Sequence, residues 1–354
     1  MRERRQDRGQ RTIEPLEIHL SHRQTHGGDP PRIGQFVRCQ CIAGAPSSQC
    51  RCASPCASVG VLQCGGPGRQ SEAEGLMKHH TIIGGGGARL HLVEAGDSRG
   101  PSILFLHGCS QSWLTWDRQL RSELVRRHRL VAMDLRGHGS SERPHDGYGD
   151  SRLWAADIDA AIRELELDQP ILCGWSYGPL VILDYIRHYG EERLGGIHLV
   201  GAVTKLGTDA ATAAISTEFL ALLPRLFSSD VGEGVSGLES LLHLCFAREP
   251  EAPDLYTMLG FGVSVPPSVR QALLTRVVDN DDLLPSIVKP VLITHGALDA
   301  VVRPEVVARH RAGLPHAEVD IMAGAGHAAF WDDAARFNQR LGAFRDEVAR
   351  RSAS

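Results

Sequence analysis

The pentapeptide Gly174-Trp175-Ser176-Tyr177-Gly178 has the residue types of a nucleophile held on a sharp turn. A short apolar run precedes it and an amphipathic helical pattern follows it, and this strand-to-helix context gives the G-x-S-x-G pattern its meaning. Glycines two residues before and after the serine avoid clashes across so tight a turn. We therefore predict that Ser176 is the nucleophile of an acyl-transfer reaction. The alternative is a surface serine in a glycine-containing turn.

A serine hydroxyl is a weak nucleophile unless a general base takes its proton, and an acid must orient that base. The chain order expected after such a serine is the acid and then the histidine. Asp299 lies in a predicted loop after an apolar run, whereas the loop at 201–205 offers no carboxylate. His327 follows the last predicted strand on a glycine-bearing loop, while His138 and His295 fit the position less well. We predict Asp299 as the orienting acid and His327 as the general base, against a turn-capping aspartate and a structural histidine.

A second loop, His107-Gly108-Cys109-Ser110, follows another apolar run. Such a loop supplies one backbone N–H to an oxyanion hole, and the residue after the nucleophile supplies the other. We predict that the backbones of Cys109 and Tyr177 donate these two bonds. The ring of His107 is expected to tie two loops together.

The elements that must position these residues alternate along the chain. Short continuous apolar runs, typical of strands buried on both faces, begin at Ser102, Leu130, Ile171, Ile197, Val291 and Val319. Amphipathic helical patterns lie between most of them, at 154–165, 180–188 and 337–348. Residues 81–93 read as a hairpin around a glycine-rich turn. The sequence predicts an α/β fold with a doubly wound, mainly parallel sheet and a hairpin at its edge.

The alternation stops at residues 207–286, where only helical patterns occur. We expect this segment to be a helical lid inserted into a core formed by residues 77–206 and 287–354. Aromatic residues of the elbow and the lid are candidates for an apolar substrate pocket, with packing in the core as the alternative for each: Trp175, Phe219, Phe227, Phe246 and Phe261.

Five motifs in this order resemble the α/β-hydrolase superfamily, in the branch that holds cofactor-free haloperoxidases, esterases, lactonases and small C–C bond hydrolases. They are HGCS at 107–110, DLRGHGSS at 134–141, GWSYG at 174–178, GALDAVV at 296–302 and GAGHAAFWDD at 324–333. The resemblance covers the chain from about Met77 onward and implies the α/β-hydrolase fold. It also implies that Asp134–Ser141 is a structural loop with no catalytic role.

Two positions qualify the resemblance. Pro179 stands where a small residue is usual, but a proline is tolerated in the first turn of a helix and leaves the Tyr177 N–H intact. Ser176 excludes the epoxide hydrolases and haloalkane dehalogenases of this fold, which need an aspartate nucleophile. Acyl transfer is therefore the expected reaction class.

We expect hydrolysis of a small, largely apolar carboxylic ester or lactone through an acyl-enzyme, with no metal or organic cofactor. A perhydrolase (cofactor-free haloperoxidase) and a C–C bond hydrolase would use the same triad and stay open as alternatives. A non-catalytic ligand-binding receptor on the same fold is the alternative from another class, and the intact triad argues against it.

Composition limits the partners and the location of the protein. The formal net charge of −4 gives no indication of a nucleic-acid partner, and no apolar run reaches the roughly eighteen residues of a membrane span. No apolar segment of a signal peptide follows the basic start, so we expect a cytoplasmic protein that acts on a small-molecule substrate.

Residues 1–76 differ from the rest of the chain. They are rich in Arg, Gln, Gly, Ser and Pro, and their apolar residues are too sparse for a core. We interpret them as a disordered extension or a start-site artefact. The rival is a thiolate metal site, since six of the nine cysteines lie here, but Cys39-x-Cys41 and Cys50-x-Cys52 have shorter spacers than usual zinc ligands.

We predict that a chain beginning at Met77 is as active and as thermally stable as the full chain, because no core-forming pattern lies upstream. Melting temperature, ester hydrolysis and zinc content of the two chains check this. A large drop in melting temperature, or stoichiometric zinc lost on truncation, would show that the cysteine-rich segment is a folded module.

Overall fold

The computed structural model describes residues 77–352. The extension expected at residues 1–76 and its rival interpretation, a thiolate metal site, lie outside these residues. The strands are β1 Lys78–Ile83, β2 Arg89–Gly96, β3 Ser102–Leu106, β4 Arg129–Met133, β5 Ile171–Trp175, β6 Gly196–Val200, β7 Lys205–Leu206, β8 Val278–Asp279, β9 Val291–Gly296 and β10 Glu318–Met322.

Eight of these strands form one sheet in the order β1-β2-β4-β3-β5-β6-β9-β10. β2 is antiparallel to β1 and β4, and all other neighbours are parallel. Every residue of β3, β5, β6 and β9 is buried, because helices cover both faces of a parallel sheet. The predicted mainly parallel sheet with an edge hairpin is confirmed, and its carboxyl ends share one edge where loops can build a site.

The helices are α1 Asp117–Leu120, α2 Ser151–Glu164, α3 Gly178–Tyr189, α4 Asp209–Ala214, α5 Thr217–Phe227, α6 Val231–Cys245, α7 Ala252–Val263, α8 Pro267–Leu274, α9 Val306–Gly313, α10 Ala329–Asp332 and α11 Ala334–Ser352. Their starts follow local capping: the Asp150 side chain accepts the Arg152 N–H at the start of α2, and Ser216 accepts the Phe219 N–H at the start of α5. The patterns did not indicate α4 or α9, which are short and have no clear apolar stripe.

Helices α4 to α8 lie between β6 and β9, in the segment expected to be a lid. β7 and β8 pair antiparallel, Lys205 with Asp279 and Leu206 with Val278. The chain therefore leaves the core and returns to it side by side, which closes the base of the helical segment. Within residues 77–352, none of the helices combines the length and apolar character needed to span a bilayer.

Candidate active site

Ser176 lies in the turn between β5 and α3, in the left-handed backbone region with φ 57°. A non-glycine residue held there costs on the order of 1–3 kcal/mol, so the surrounding structure must impose it. The Ser176 N–H donates to Val200 O at 2.9 Å, and the Ser176 carbonyl accepts the Val203 N–H at 3.1 Å. Both bonds attach the turn to the loop after β6.

The two glycines of the pentapeptide are needed for close approach. A Cβ atom on Gly174 would lie 2.8 Å from the Pro179 nitrogen, and one on Gly178 would lie 2.6 Å from the Leu106 carbonyl oxygen of β3. Pro179 is the second residue of α3, where its missing N–H would have no helical partner. The turn is thus as tight as the pattern predicts.

His327 and Asp299 form a buried pair. His327 Nδ1 lies 2.8 Å from Asp299 Oδ2, and both side chains are at most 2% exposed. Because the carboxylate accepts at Nδ1, the proton sits there and leaves Nε2 with a free lone pair. That Nε2 atom has no hydrogen-bond partner among residues 77–352. The pair thus leaves one imidazole nitrogen without a partner at the predicted position of the general base.

The carboxylate of Asp299 accepts hydrogen bonds from three donors and lies beside a second imidazole, that of His295, whose Nε2 also bonds to Val302 O at 3.0 Å. Oδ1 accepts the N–H groups of Val301 and Val302, each at 2.8 Å, and Oδ2 is bonded to His327 and lies 3.1 Å from His295 Nε2. Burial by itself would raise the pKa of Asp299, but the charge of His327 and the hydrogen bond of His295 hold the pKa well below its usual range. Asp299 is therefore ionised at neutral pH. The role of His295 was missed, although its spacing of four residues from Asp299 was a usable signal.

The loop that carries His327 is attached on two sides. The Trp175 indole N–H donates to the His327 carbonyl at 2.9 Å, so the residue next to Ser176 anchors the backbone of His327. Asp332 Oδ2 accepts both the Gly326 N–H at 2.7 Å and the Ala247 N–H at 3.0 Å. The second bond ties the histidine loop to the connection between α6 and α7 in the helical segment.

The predicted oxyanion donors are available. Neither the Cys109 N–H nor the Tyr177 N–H has a hydrogen-bond partner in the described part of the chain. Tyr177 precedes α3, so its N–H lies at the positive end of a twelve-residue helix. Ser110, the residue after Cys109, takes a left-handed conformation with φ 61°, which re-aims the loop after Cys109.

Two buried histidines brace this loop. Burial lowers the pKa of His107, and burial lowers that of His138 to about 3, so both rings are neutral. His107 donates to Gly108 O at 2.7 Å and accepts the Leu135 N–H at 3.0 Å. His138 accepts the Ser110 N–H at 3.1 Å. Each ring thus links the oxyanion loop to the segment at 134–141, as expected for His107.

A buried arginine connects the helical segment to the nucleophile turn. Arg276, between α8 and β8, donates to Tyr177 Oη at 3.0 Å and to Asp184 Oδ2 at 2.8 Å. The side chains of Arg276 and Asp184 are 1% and 2% exposed. Burial raises the pKa of Asp184 to about 6, although Arg276 opposes the rise. No pattern in the sequence indicated the contact between Arg276 and Asp184, because the two residues are 92 positions apart.

Ser176 and His327 line one cavity of about 190 Å³. No Asp, Glu, Lys or Arg side chain is among its lining residues, which are mostly aliphatic. They are Gly108, Cys109, Gln111, Trp175, Ser176, Tyr177, Val203, Leu206, Gly207, Ala211, Thr212, Ile215, Phe219, Leu220, Leu223, Leu241, Cys245, Leu274, Val301, Val302 and His327. The cavity therefore suits an uncharged, largely apolar ligand.

The structure brings only some of the predicted pocket aromatics to this cavity. Trp175 and Phe219 line it, whereas Phe227, Phe246 and Phe261 do not. These three are half-buried and pack against the hydrophobic core, Phe246 with its ring 6.4 Å from that of Trp331. For these three residues the structure shows the alternative of packing against the core: Phe227 ends α5, Phe246 follows α6 and Phe261 lies on α7.

Comparisons with known proteins give one consistent relationship. A family model described as the alpha/beta hydrolase family matches residues 103–340. The AB hydrolase superfamily protein YisY of Bacillus subtilis (strain 168) is 27% identical over 263 residues, which are 69% of this chain and 91% of that protein.

Two solved structures are similar over three quarters of the chain. The esterase RhEst1 from Rhodococcus sp. ECU1013 is 31% identical with a TM-score of 0.73, covering 77% of this chain and 100% of that one. The esterase EaEST from Exiguobacterium antarcticum is 25% identical with a TM-score of 0.68, covering 76% of this chain and 100% of that one.

We predict that Arg276→Met lowers the free energy of unfolding by about 3–5 kcal/mol, because it leaves the Asp184 carboxylate buried without its partner. Urea unfolding at pH 8, where that carboxyl is ionised, measures the loss. The double variant Arg276→Met/Asp184→Leu should recover most of it. Arg126→Met, which breaks an exposed pair with Glu123 at 2.8 Å, is the matched control and should cost at most about 1 kcal/mol. Equal losses for Arg276→Met and Arg126→Met would contradict the prediction.

Proposed function

The chain belongs to the alpha/beta hydrolase family and is a hydrolase, and from that premise we propose that it cleaves a small, largely apolar carboxylic ester or lactone through an acyl-enzyme. One observation carries the proposal. Ser176, on its left-handed turn, and His327, bonded through Nδ1 to Asp299 and free at Nε2, line the same apolar cavity. A serine hydroxyl and an imidazole nitrogen that is free to accept a proton are the groups that nucleophilic catalysis by a serine uses, so their place at one cavity supports the proposal.

In the proposed acylation, Ser176 Oγ attacks the substrate carbonyl while His327 Nε2 takes its proton. Asp299, ionised and held by the N–H groups of Val301 and Val302, stabilises the imidazolium that forms. The carbonyl oxygen becomes an oxyanion, which accepts hydrogen bonds from the N–H groups of Cys109 and Tyr177. Such preorganised donors lower the barrier because they are already oriented when charge develops.

Collapse of this intermediate breaks the bond from the carbonyl carbon to the leaving oxygen. His327 gives its proton to that oxygen, so an ester releases an alcohol, while a lactone keeps the new hydroxyl on the acyl chain. A water molecule then gives a proton to His327 Nε2 and attacks the acyl carbon. The second collapse returns the proton to Ser176 and frees the acid.

Two features support an uncharged ester. The cavity lining has no Asp, Glu, Lys or Arg side chain to pair with a charged substrate. The structure of RhEst1, 31% identical and named as an esterase, aligns over 77% of the chain. We also propose that the helical segment 207–286 acts as a lid, because α5 contributes Phe219, Leu220 and Leu223 to the cavity.

We predict that Ser176→Ala abolishes covalent labelling by a fluorophosphonate probe and lowers hydrolysis of p-nitrophenyl esters by roughly four to six orders of magnitude, because the three residues act as a unit. Labelling followed by mass spectrometry, with initial rates, checks both effects. The exposed Ser264→Ala is the matched control and should label like the parent. Labelling that persists in Ser176→Ala would move the nucleophile to another residue.

We predict that Phe219→Ala shifts the preferred acyl chain toward longer esters, since it enlarges the cavity. A change of a methylene or more in an apolar pocket alters discrimination by about 1–3 kcal/mol, or roughly tenfold and upward in the ratio of kcat/KM values. A series of p-nitrophenyl esters from acetate to decanoate measures the shift, and fluorophosphonate labelling should persist.

Phe227→Ala is the control for this experiment. It removes the same side chain from the same helix, but at a position that does not line the cavity. It should lower stability and leave the order of acyl preferences unchanged. If both variants changed all esters by the same factor, the helical segment would serve packing alone.

A further inference from the structure

Gln111 is a polar exception in the lining of the apolar cavity. Gln111 is 4% exposed, and it lines the same cavity as Ser176 and His327. Burying a carboxamide among aliphatic side chains costs free energy unless its polar atoms find partners. The amide must therefore serve either the loop or a ligand.

Only one end of this amide is used by the protein. Thr115 Oγ1 donates to Gln111 Oε1 at 3.2 Å, and Thr115 is itself buried. Among the residues that the structure describes, this bond to Oε1 is the only hydrogen bond that the Gln111 side chain makes, and Nε2 makes none. With Oε1 fixed by the threonine, the two N–H bonds of Nε2 remain for a molecule in the cavity.

The backbone on both sides of Gln111 is constrained. Ser110 precedes it in the left-handed region and donates its N–H to His138. Ser112 follows it as the cap of a 3₁₀ helix, its side chain accepting the Leu114 N–H at 3.3 Å. A side chain held between two such anchors is preorganised, which lowers the entropy cost of a hydrogen bond to a ligand.

We propose that Gln111 is a specificity-determining residue that donates an N–H hydrogen bond to a neutral oxygen of the substrate, separate from the scissile carbonyl. The substrate class is therefore an uncharged ester or lactone whose otherwise apolar body carries an ether, hydroxyl or second carbonyl oxygen. This inference rests on the proposed function and deepens it. An amide is neutral, and the other lining residues supply no Asp, Glu, Lys or Arg side chain, so a carboxylate or ammonium group would have no counter-charge.

A site built around such a donor rejects analogues that lack the acceptor, because the buried N–H is then left unpaired. Aliphatic lining residues, by contrast, separate ligands only by size. Gln111 thus distinguishes two chains of equal length when one of them carries an oxygen atom in place of a methylene group.

An oxygen scan tests this. p-Nitrophenyl hexanoate is compared with esters in which each chain methylene in turn is replaced by an ether oxygen, and a second series places the oxygen in the alkyl group of hexanoate alkyl esters. The quantity measured is the kcat/KM of each oxygen ester divided by the kcat/KM of the all-carbon ester of equal length. This ratio is determined for the variant and for the unsubstituted protein. Dividing the first ratio by the second cancels differences in chemical reactivity between the esters.

In Gln111→Met, which keeps the chain length and removes the donor, the ratio should fall about fivefold to tenfold at one oxygen position and stay unchanged at the others. Thr115→Val, which leaves the amide in place and frees its orientation, should give a smaller fall at the same position. Titration of Ser176 with a fluorophosphonate counts the folded sites in each variant.

Two outcomes overturn the inference. If the parent protein hydrolyses the esters but the ratios in Gln111→Met match those of the parent at every position, Gln111 is a loop-bracing residue only. If the parent protein neither hydrolyses any ester nor reacts with the fluorophosphonate, the proposed function fails and the inference fails with it.

Discussion

The turn at Ser176 is the constraint on which the rest of the site depends. Ser176 has φ 57°, and the residues two positions before and after it must be glycines. A Cβ atom on Gly174 would clash with backbone atoms at the start of α3, and one on Gly178 would clash with the backbone of β3. Backbone atoms cannot move aside as a flexible side chain can. The strand order, with β5 between β3 and β6, therefore fixes where the Ser176 hydroxyl lies. The packing of the sheet offsets the free energy that the strained backbone of Ser176 costs.

A buried negative charge is the second determinant of the site. Asp299 is buried in the loop after β9, and its carboxylate is tolerated because two backbone N–H groups and two imidazoles surround it. The same contacts that stabilise the charge also orient His327. His295 Nε2 lies 3.1 Å from Asp299 Oδ2, which is the same oxygen that is bonded to His327.

Hydrogen bonds connect the helical segment to the turn at Ser176 and to the loop that carries His327. Arg276 reaches the tyrosine after the nucleophile, and Asp332 joins the histidine loop to Ala247. Helix α5 lines the cavity through one face while its other face packs on the core. A segment held in this way can change its cavity-facing side chains without disturbing the reacting groups, which is a physical basis for specificity that varies independently of chemistry.

Much of the fold and the three candidate catalytic residues could be predicted from the sequence, because each depends on short stretches of chain. A strand buried on both faces is a continuous apolar run, and the tight turn at Ser176 is marked in the sequence by glycines two residues to either side of it. Only the tertiary structure decided that Phe219 reaches the cavity while Phe227 and Phe246 meet the core, and that Arg276 pairs with Asp184. Helical spacing gives the face of a helix but not the surface it meets, and a buried ion pair 92 residues apart in sequence exists only once the segments that carry it have packed together.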